Sequence, residues 1–485
     1  MIALNLSTTC LLRATTWHVT ANVGQPEDRV GAIAAEAASG DTILIEPGTY
    51  YEHIPLEGKS LTFIGTGGAS TTVLDGSREL TDREGSIVYT LTGASADLTL
   101  EGLTFRNGTG APLGWLGDDI GGGAVLWWES DWEYAKCLAI RDCVFEDNAS
   151  GSPYNAYSSG GGAISATLLD QVLVQDCVFT GNSDLNFGGD LFLLAETANV
   201  LQSDFDLAGG GHSGGASLHC PSGGMLRVQD CVFESETGDG LSHGLRAFPR
   251  RTELLNCKFL DHGGPLATRI CLCLTEAAGE PPSDVLVTGC TFWNATGPDS
   301  AADDGLLDVY SPGSGECEIT GNTFVRCGLD IEFHTGGSPM VFERNTIARG
   351  RVLFWIGSGG DYSCNNFWRS SVNDRIGNLS ESNNITNDPL FCGEAGGDFT
   401  LSVGSPCAPY SAPNEECDLI GAWPVACELD LHACCVGSEC QLLTEEGCQE
   451  AGGVWKSTLD SCTPDPCNTP VQQTSWGAIK ARFRD

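Results

Sequence analysis

The sequence predicts an all-β chain: a right-handed, three-sheet parallel β-helix with an N-terminal capping helix and a small disulfide-rich module at its C-terminus. Three observations predict it. An apolar pattern recurs along the chain, 63 of the 485 residues are glycine, and 23 are cysteine, six of them crowded between positions 434 and 467. The recurrence marks a solenoid, the glycines mark turns, and the late cysteines mark a cross-linked appendage.

The pattern is clearest in Leu138, Ile140, Cys143, Phe145, then Val172, Val174, Cys177, Phe179, then Leu226, Val228, Cys231, Phe233, and Val285, Val287, Cys290, Phe292. Steps of two are strand alternation, and the central step of three reverses the phase, which demands a bend. Just after the reversal stands Gly102, Asp142, Asp176, Asp230, Asn256, Gly289 or Gly321. These residue types tolerate a left-handed backbone, so each copy reads strand, tight bend, strand. The phenylalanine column runs Phe105, Phe145, Phe179, Phe205, Phe233, Phe259, Phe292, Phe324, Ile347, Phe367, at spacings of 20 to 40 residues. About twenty residues suffice for one coil, so the longer spacings carry inserted loops.

A third strand, opened by glycine, follows each pair: 121–126, 160–165, 188–193, 214–218, 305–309, 328–333 and 350–355. Three strands per coil make a three-sheet solenoid. Two residues before each phenylalanine stand Cys143, Cys177, Cys231, Cys257 and Cys290, then Asn322, Asn345 and Asn365. Stacked every ~4.8 Å, amides satisfy one another and thiols pack as small apolar groups.

The run Gly40 to Glu52 (Gly-Asp-Thr-Ile-Leu-Ile-Glu-Pro-Gly-Thr-Tyr-Tyr-Glu), with Leu61 to Gly65 and Val73 to Gly76, resembles the first coils of the pectin-lyase-like β-helix superfamily. The resemblance implies an amphipathic cap over the open end, a role that residues 28–39 suit through Val30, Ile33, Ala34 and Ala37. The far end, with Asp388 to Phe391, Gly397 to Leu401, Ser405 to Cys407 and Ile420 to Ala422, is similar to the closing coil of bacterial extracellular β-helix proteins. The expected organisation is a truncated signal peptide over 1–16, with an ordinary strand as its alternative; the β-helix over 17–427; a cysteine module over 428–470; and a basic, aromatic tail over 471–485. In the tail Trp476, Ile479 and Phe483 share a helical face beside Lys480, Arg482 and Arg484. That is either a frayed terminus or a docking tail.

Cys434, Cys435, Cys440, Cys448, Cys462 and Cys467 lie in a stretch too short for an apolar core, so cross-links must hold it. With His432 alone nearby and no Cys-x-x-Cys pair, disulfides are expected rather than zinc. Fifteen pairings of six cysteines remain open. The cysteine content points to a secreted, extracellular or cell-surface location. No apolar run is long enough for a transmembrane segment, and a net charge of −40 sets the chain against nucleic acid.

On this scaffold the resemblance implies lyases, hydrolases, esterases, adhesins and inert surface proteins alike. The polygalacturonase pattern survives only as fragments in the wrong order: Asp303 and Asp304, Gly211 and His212, Ser242 to Gly244, and Arg269 with Ile270. The main expectation is therefore a non-catalytic surface or carbohydrate-interacting protein, whose partner is a polysaccharide or cell-surface glycan. The alternative is a polysaccharide lyase or glycoside hydrolase with a divergent site, acting on an acidic polymer.

Three groups of residues are candidates. Between Leu241 and Ile270 five basic residues face two acidic ones, reversing the chain's 24-to-64 balance; His243, Arg246 and Arg269 there are the candidate proton-transfer and anion-binding residues. Their alternative is ordinary solvated or ion-paired positions. Aligning the third strands puts His219, Arg269, Glu332 and His334 on one sheet. Trp115, Trp128, Trp132 and Tyr134, in the longest insertion, are candidate sugar-stacking aromatics, or packing for their own loop. Asp118, Asp119, Asp303 and Asp304 are candidate ligands for Ca2+, the single cofactor the sequence suggests, although solvated acidic turns are commoner in so acidic a chain.

Overall fold

The computed structural model describes residues 14–467 except 22–28, 78–84, 91–95, 113–119, 128–135, 151–159, 185–188, 207–215, 220–223, 236–242, 248–250, 262–268, 274–283, 295–306, 312–314, 334–339, 357–359, 373–381, 429–430 and 464. The chain is a right-handed parallel β-helix followed by a disulfide-rich module. Each coil contributes a strand to three parallel sheets in turn. The first sheet runs from Thr16–Val19 to Met340–Glu343, the second from Gly48–Tyr51 to Asn366–Trp368, and the third from Ile54–Pro55 to Ser371–Val372. The second is a separate 12-stranded sheet; the first and third merge into one of 22 strands because Ile164–Gln175 and Leu191–Leu201 run straight through the corner between them.

The predicted alternation sets the core. Leu138, Ile140, Cys143 and Phe145 are all buried, as are their counterparts Val172, Val174, Cys177 and Phe179. Phe105 to Phe324 stack in register, with ring centroids 4.6 to 5.1 Å apart and planes within 8°. That interval is the strand spacing itself, so each ring meets its neighbour without leaving its own coil. Between the first and second sheets Asp142, Asp176, Asp230 and Asn256 hold φ of +51° to +54°, and Gly102, Gly289 and Gly321 of +64° to +68°. Gln202, Arg344 and Cys364 hold the same left-handed corner, although their type announces nothing of the kind.

Below the phenylalanine column the stack changes chemistry. Cys143, Cys177, Cys231, Cys257 and Cys290 are buried free thiols, and burial pushes Cys177 up to about 12. The asparagines that follow chain together. Asn345 Oδ1 accepts from the backbone N and Nδ2 of Asn322, both at 3.0 Å, while Asn345 Nδ2 donates to Ile319 O at 2.8 Å. Asn365 repeats the arrangement one coil on.

The helix Arg29–Glu36 covers the N-terminal coil with Val30 and Ala34. The Glu52 carboxylate accepts from Val30 N and Gly31 N, and Lys59 Nζ donates to the carbonyls of Ala34 and Ala35. A negative charge thus meets the helix N-terminus and a positive charge its C-terminus, the arrangement that the helix dipole favours.

The chain folds as two units, Met1–Pro389 with Pro406–Pro424, and Leu390–Ser405 with Val425–Asp485. In the second unit His432–Val436 pairs antiparallel with both Glu439–Leu443 and Val454–Lys456. Its disulfides are Cys434–Cys448, Cys435–Cys467, Cys440–Cys462 and Cys392–Cys427; the first unit holds Cys364–Cys417. No described helix is long and apolar enough to cross a membrane.

Candidate functional site

The third sheet carries the candidate site. Gly122 and Gly161 enter its strands at φ of +52° and +76°, and at Gly123 and Gly162 a β-carbon would collide with a carbonyl of the next coil. Close approach at this corner locks adjacent coils in register, so partner residues stand about 4.8 Å apart. Ile54, Val88, Val125, Ile164 and Leu191 form the buried column of this sheet.

A second column lies one position later along the strands. There Ser217, Arg246 and Cys271 are cross-strand partners, and the same column continues through Asp308 and Asp330 to Leu353. Two positions further along the strands Cys273, Tyr310, Glu332 and Trp355 align, and His219, beside Leu194, enters the same column. His243 is the partner of Arg269, with a bulge before Leu245. Register therefore brings His243, Arg246 and Arg269 onto two neighbouring strands, with Asp308, Asp330 and Glu332 on the next two. His219 and Arg269 share the sheet but differ by four strand positions, about 13 Å at the usual rise. His334 lies outside the described residues.

Asp308 and Asp330 do not stand out in the sequence as a whole, yet a signal exists. Leu307-Asp308-Val309 and Leu329-Asp330-Ile331 occupy the same place in two successive glycine-opened strands, and comparing only third strands exposes the repeat. Along one column the two aspartates are a single coil step apart, and Asp330 and Glu332 are two residues apart on one strand, about 6.7 Å.

Trp115, Trp128, Trp132 and Tyr134 lie outside the described residues, as do Asp118, Asp119, Asp303 and Asp304. Trp127, the neighbour of Trp128, is fully buried in the core. Among the described residues the one cluster of three metal-ligand types is Cys440, Asp465 and Cys467, and both cysteines are spent in disulfides. Asp190, fully buried, accepts from Asn182 Nδ2 at 2.9 Å. Burial pushes its carboxyl well above the ordinary range, and it accepts at the end of the Asn148–Asn182 amide chain. Where the stack of coils ends, an open cleft of about 680 Å³ is lined by Phe367, Ser370, Asn383, Asn384, Asn387 and Asn414 among others. None of its lining titrates, so it offers hydrogen bonds without proton transfer.

No protein-family profile matches the chain, and no curated protein is significantly similar to it. Among solved structures it is similar to the catalytic unit of a thermostable GH87 α-1,3-glucanase from Streptomyces thermodiastaticus strain HF3-3. The identity is 15%, the match covers 76% of this chain and 70% of that one, and the TM-score is 0.31. A likeness this distant assigns no residue and no activity.

Proposed function

We propose that this chain is an exported carbohydrate-interacting β-helix protein that holds a polysaccharide along its third sheet, over the strands His243–Ala247, Arg269–Cys273, Leu307–Ser311 and Gly328–Phe333. The observation that carries this reading is register: four successive coils gather His243, Arg246, Arg269, Asp308, Asp330 and Glu332 into neighbouring columns. Guanidinium groups bind acidic sugar substituents and carboxylates accept from sugar hydroxyls, so a mixed patch suits a polymer carrying both. Export is supported by the five disulfides among the described residues, which an oxidising compartment maintains.

Hydrolysis is the second reading, favoured by the register that puts Asp308 and Asp330 in one column and Glu332 two positions further along its strand. Glycosidases work with carboxylate pairs about 5 Å or about 6.5–9.5 Å apart, one acting as acid and the other as nucleophile or base. The test offers uronic-acid polysaccharides and neutral glucans to the protein with and without calcium, following binding by affinity electrophoresis and cleavage by new reducing ends. Replacing His243, Arg246 and Arg269 together with Ala should weaken binding at least tenfold with an unchanged Tm. If cleavage is seen without the unsaturated ends that elimination leaves, and stops in Asp308→Asn/Asp330→Asn, the protein is a hydrolase. Undiminished binding in both variants removes the third sheet from consideration.

A further inference from the structure

We infer that the cleft at the end of the coil stack is a second, separate binding site, whose ligand is a short, uncharged oligosaccharide. The asparagine ladder leads to it. Asn384, which lines the cleft, is the next rung: its Oδ1 accepts from Asn365 N at 2.8 Å and from Asn365 Nδ2 at 3.0 Å. There the coil gives way, for Ile385 makes one isolated bridge, to Asn366, and Thr386 and Asn387 are exposed. The backbone holds Asn387 in place, its carbonyl accepting from Asn366 Nδ2 at 2.8 Å. Asn414 comes to the same cleft on a turn in which Asn414 N donates to Ser411 O at 2.7 Å and Cys417 N to Asn414 O at 3.1 Å. The disulfide Cys364–Cys417 ties that turn to the left-handed corner of the coil.

The ladder spends amides on one another inside the coils; at its end amides remain for a ligand. Asn414 is 4% exposed, and its Nδ2 is buried without an acceptor. A donor left so costs free energy that an incoming hydroxyl oxygen recovers. Asn383 Nδ2 donates to Glu416 Oε2 at 3.0 Å, which fixes the plane of a further amide at the rim. A primary amide offers a donor and an acceptor side by side, the pair that two neighbouring sugar hydroxyls match. Phe367, Ile385 and Pro413 add apolar surface for the C–H face of a pyranose. No lining side chain is ionised, so a charged ligand would leave water for a site without a counter-charge, a cost that a neutral one escapes. The cleft's volume of about 680 Å³ lies within the roughly 300–1,000 Å³ of small-molecule sites and has room for several sugar units. A peptide held by strand addition needs a row of backbone groups, and the last strand of the third sheet, Ser371–Val372, supplies only two residues.

These residues all belong to the first unit, and the site does not depend on the third-sheet reading. The full chain is titrated calorimetrically with cellohexaose, laminarihexaose, maltohexaose and mannohexaose at low and high salt. We expect at least one of them to bind, with an affinity that salt changes by no more than about twofold, because no ion pair is made. T386A/N387A, which alters exposed side chains alone, should lose at least tenfold in affinity with an unchanged Tm. Asn414→Leu, which removes the buried donor at similar volume, should lose as much; should it fail to fold, T386A/N387A decides alone. Replacing His243, Arg246 and Arg269 together with Ala should leave this binding as in the wild type. Which hexasaccharide binds identifies the linkage. Binding of none of the four, undiminished binding in either cleft variant, or a steep salt dependence overturns the inference. Binding lost when His243, Arg246 and Arg269 are replaced also overturns it, and leaves the earlier reading standing.

Discussion

Asn345 shows what a single side chain does in this stack. Its amide accepts from the Asn322 backbone and donates to Ile319 O in the adjacent coil, so it satisfies groups that no strand pairing reaches at the bend. Asn345→Ala leaves a buried donor and a buried acceptor unpaired, which costs about 1–3 kcal/mol for each group. Cys257, earlier in the same column, is held more weakly: its thiol lies 3.5 Å from Val228 O and burial keeps it protonated. Cys257→Ala should cost only about 1 kcal/mol, that of a methyl-sized void. Urea unfolding of the two variants checks the contrast; equal losses would mean that the asparagines contribute packing alone.

At the scale of the element, the N-terminal coil is tied by a carboxylate. Asp41 accepts from Trp17 Nε1 at 2.9 Å, from Thr15 N at 2.7 Å and from Ala38 N at 2.9 Å. These bonds, that of Trp17 first, hold its carboxyl below the ordinary range. A group whose pKa is depressed by folding stabilises the native state above its unfolded value of about 4, and that stability is lost as pH falls through the folded value. Protection of the amides in the strand Thr16–Val19, taken relative to their intrinsic exchange rates, should therefore fall below about pH 4 in the wild type. Asp41→Asn should be less protected at about pH 6 and lose less protection on acidification. An identical pH profile in both proteins would place the acid sensitivity elsewhere.

For the whole molecule, the two units are stabilised by different means. The first buries the stacked phenylalanines and aliphatic columns of its coils; each Phe→Ala in such a column costs about 3–5 kcal/mol. In the second, Cys434, Cys435, Cys440, Cys448, Cys462 and Cys467 close three bridges across a short antiparallel sheet, and a segment of that size has little core to fall back on. Mild reduction should expose the region beyond Val425 to proteases while the coils before Pro389 keep their cooperative melting. Simultaneous loss of both would show that the bridges stabilise the coils as well.

The sequence by itself determined the coil. Steps of two broken by a step of three, with Gly, Asn or Asp after the break, dictate two strands and a left-handed corner, because these are local requirements of backbone and side-chain direction. It also marked His243, Arg246 and Arg269 through a reversal of local charge. Only the tertiary structure decided register: which third strands are neighbours, and hence that Asp308 and Asp330 follow Arg246 in one column; it also decided that Asn387 and Asn414 line one cleft. Loops of unequal length separate these residues in the chain, so no fixed sequence interval carries the information. The disulfide pairing was likewise beyond the sequence, because six cysteines permit many bridges and only the distances between folded strands select among them.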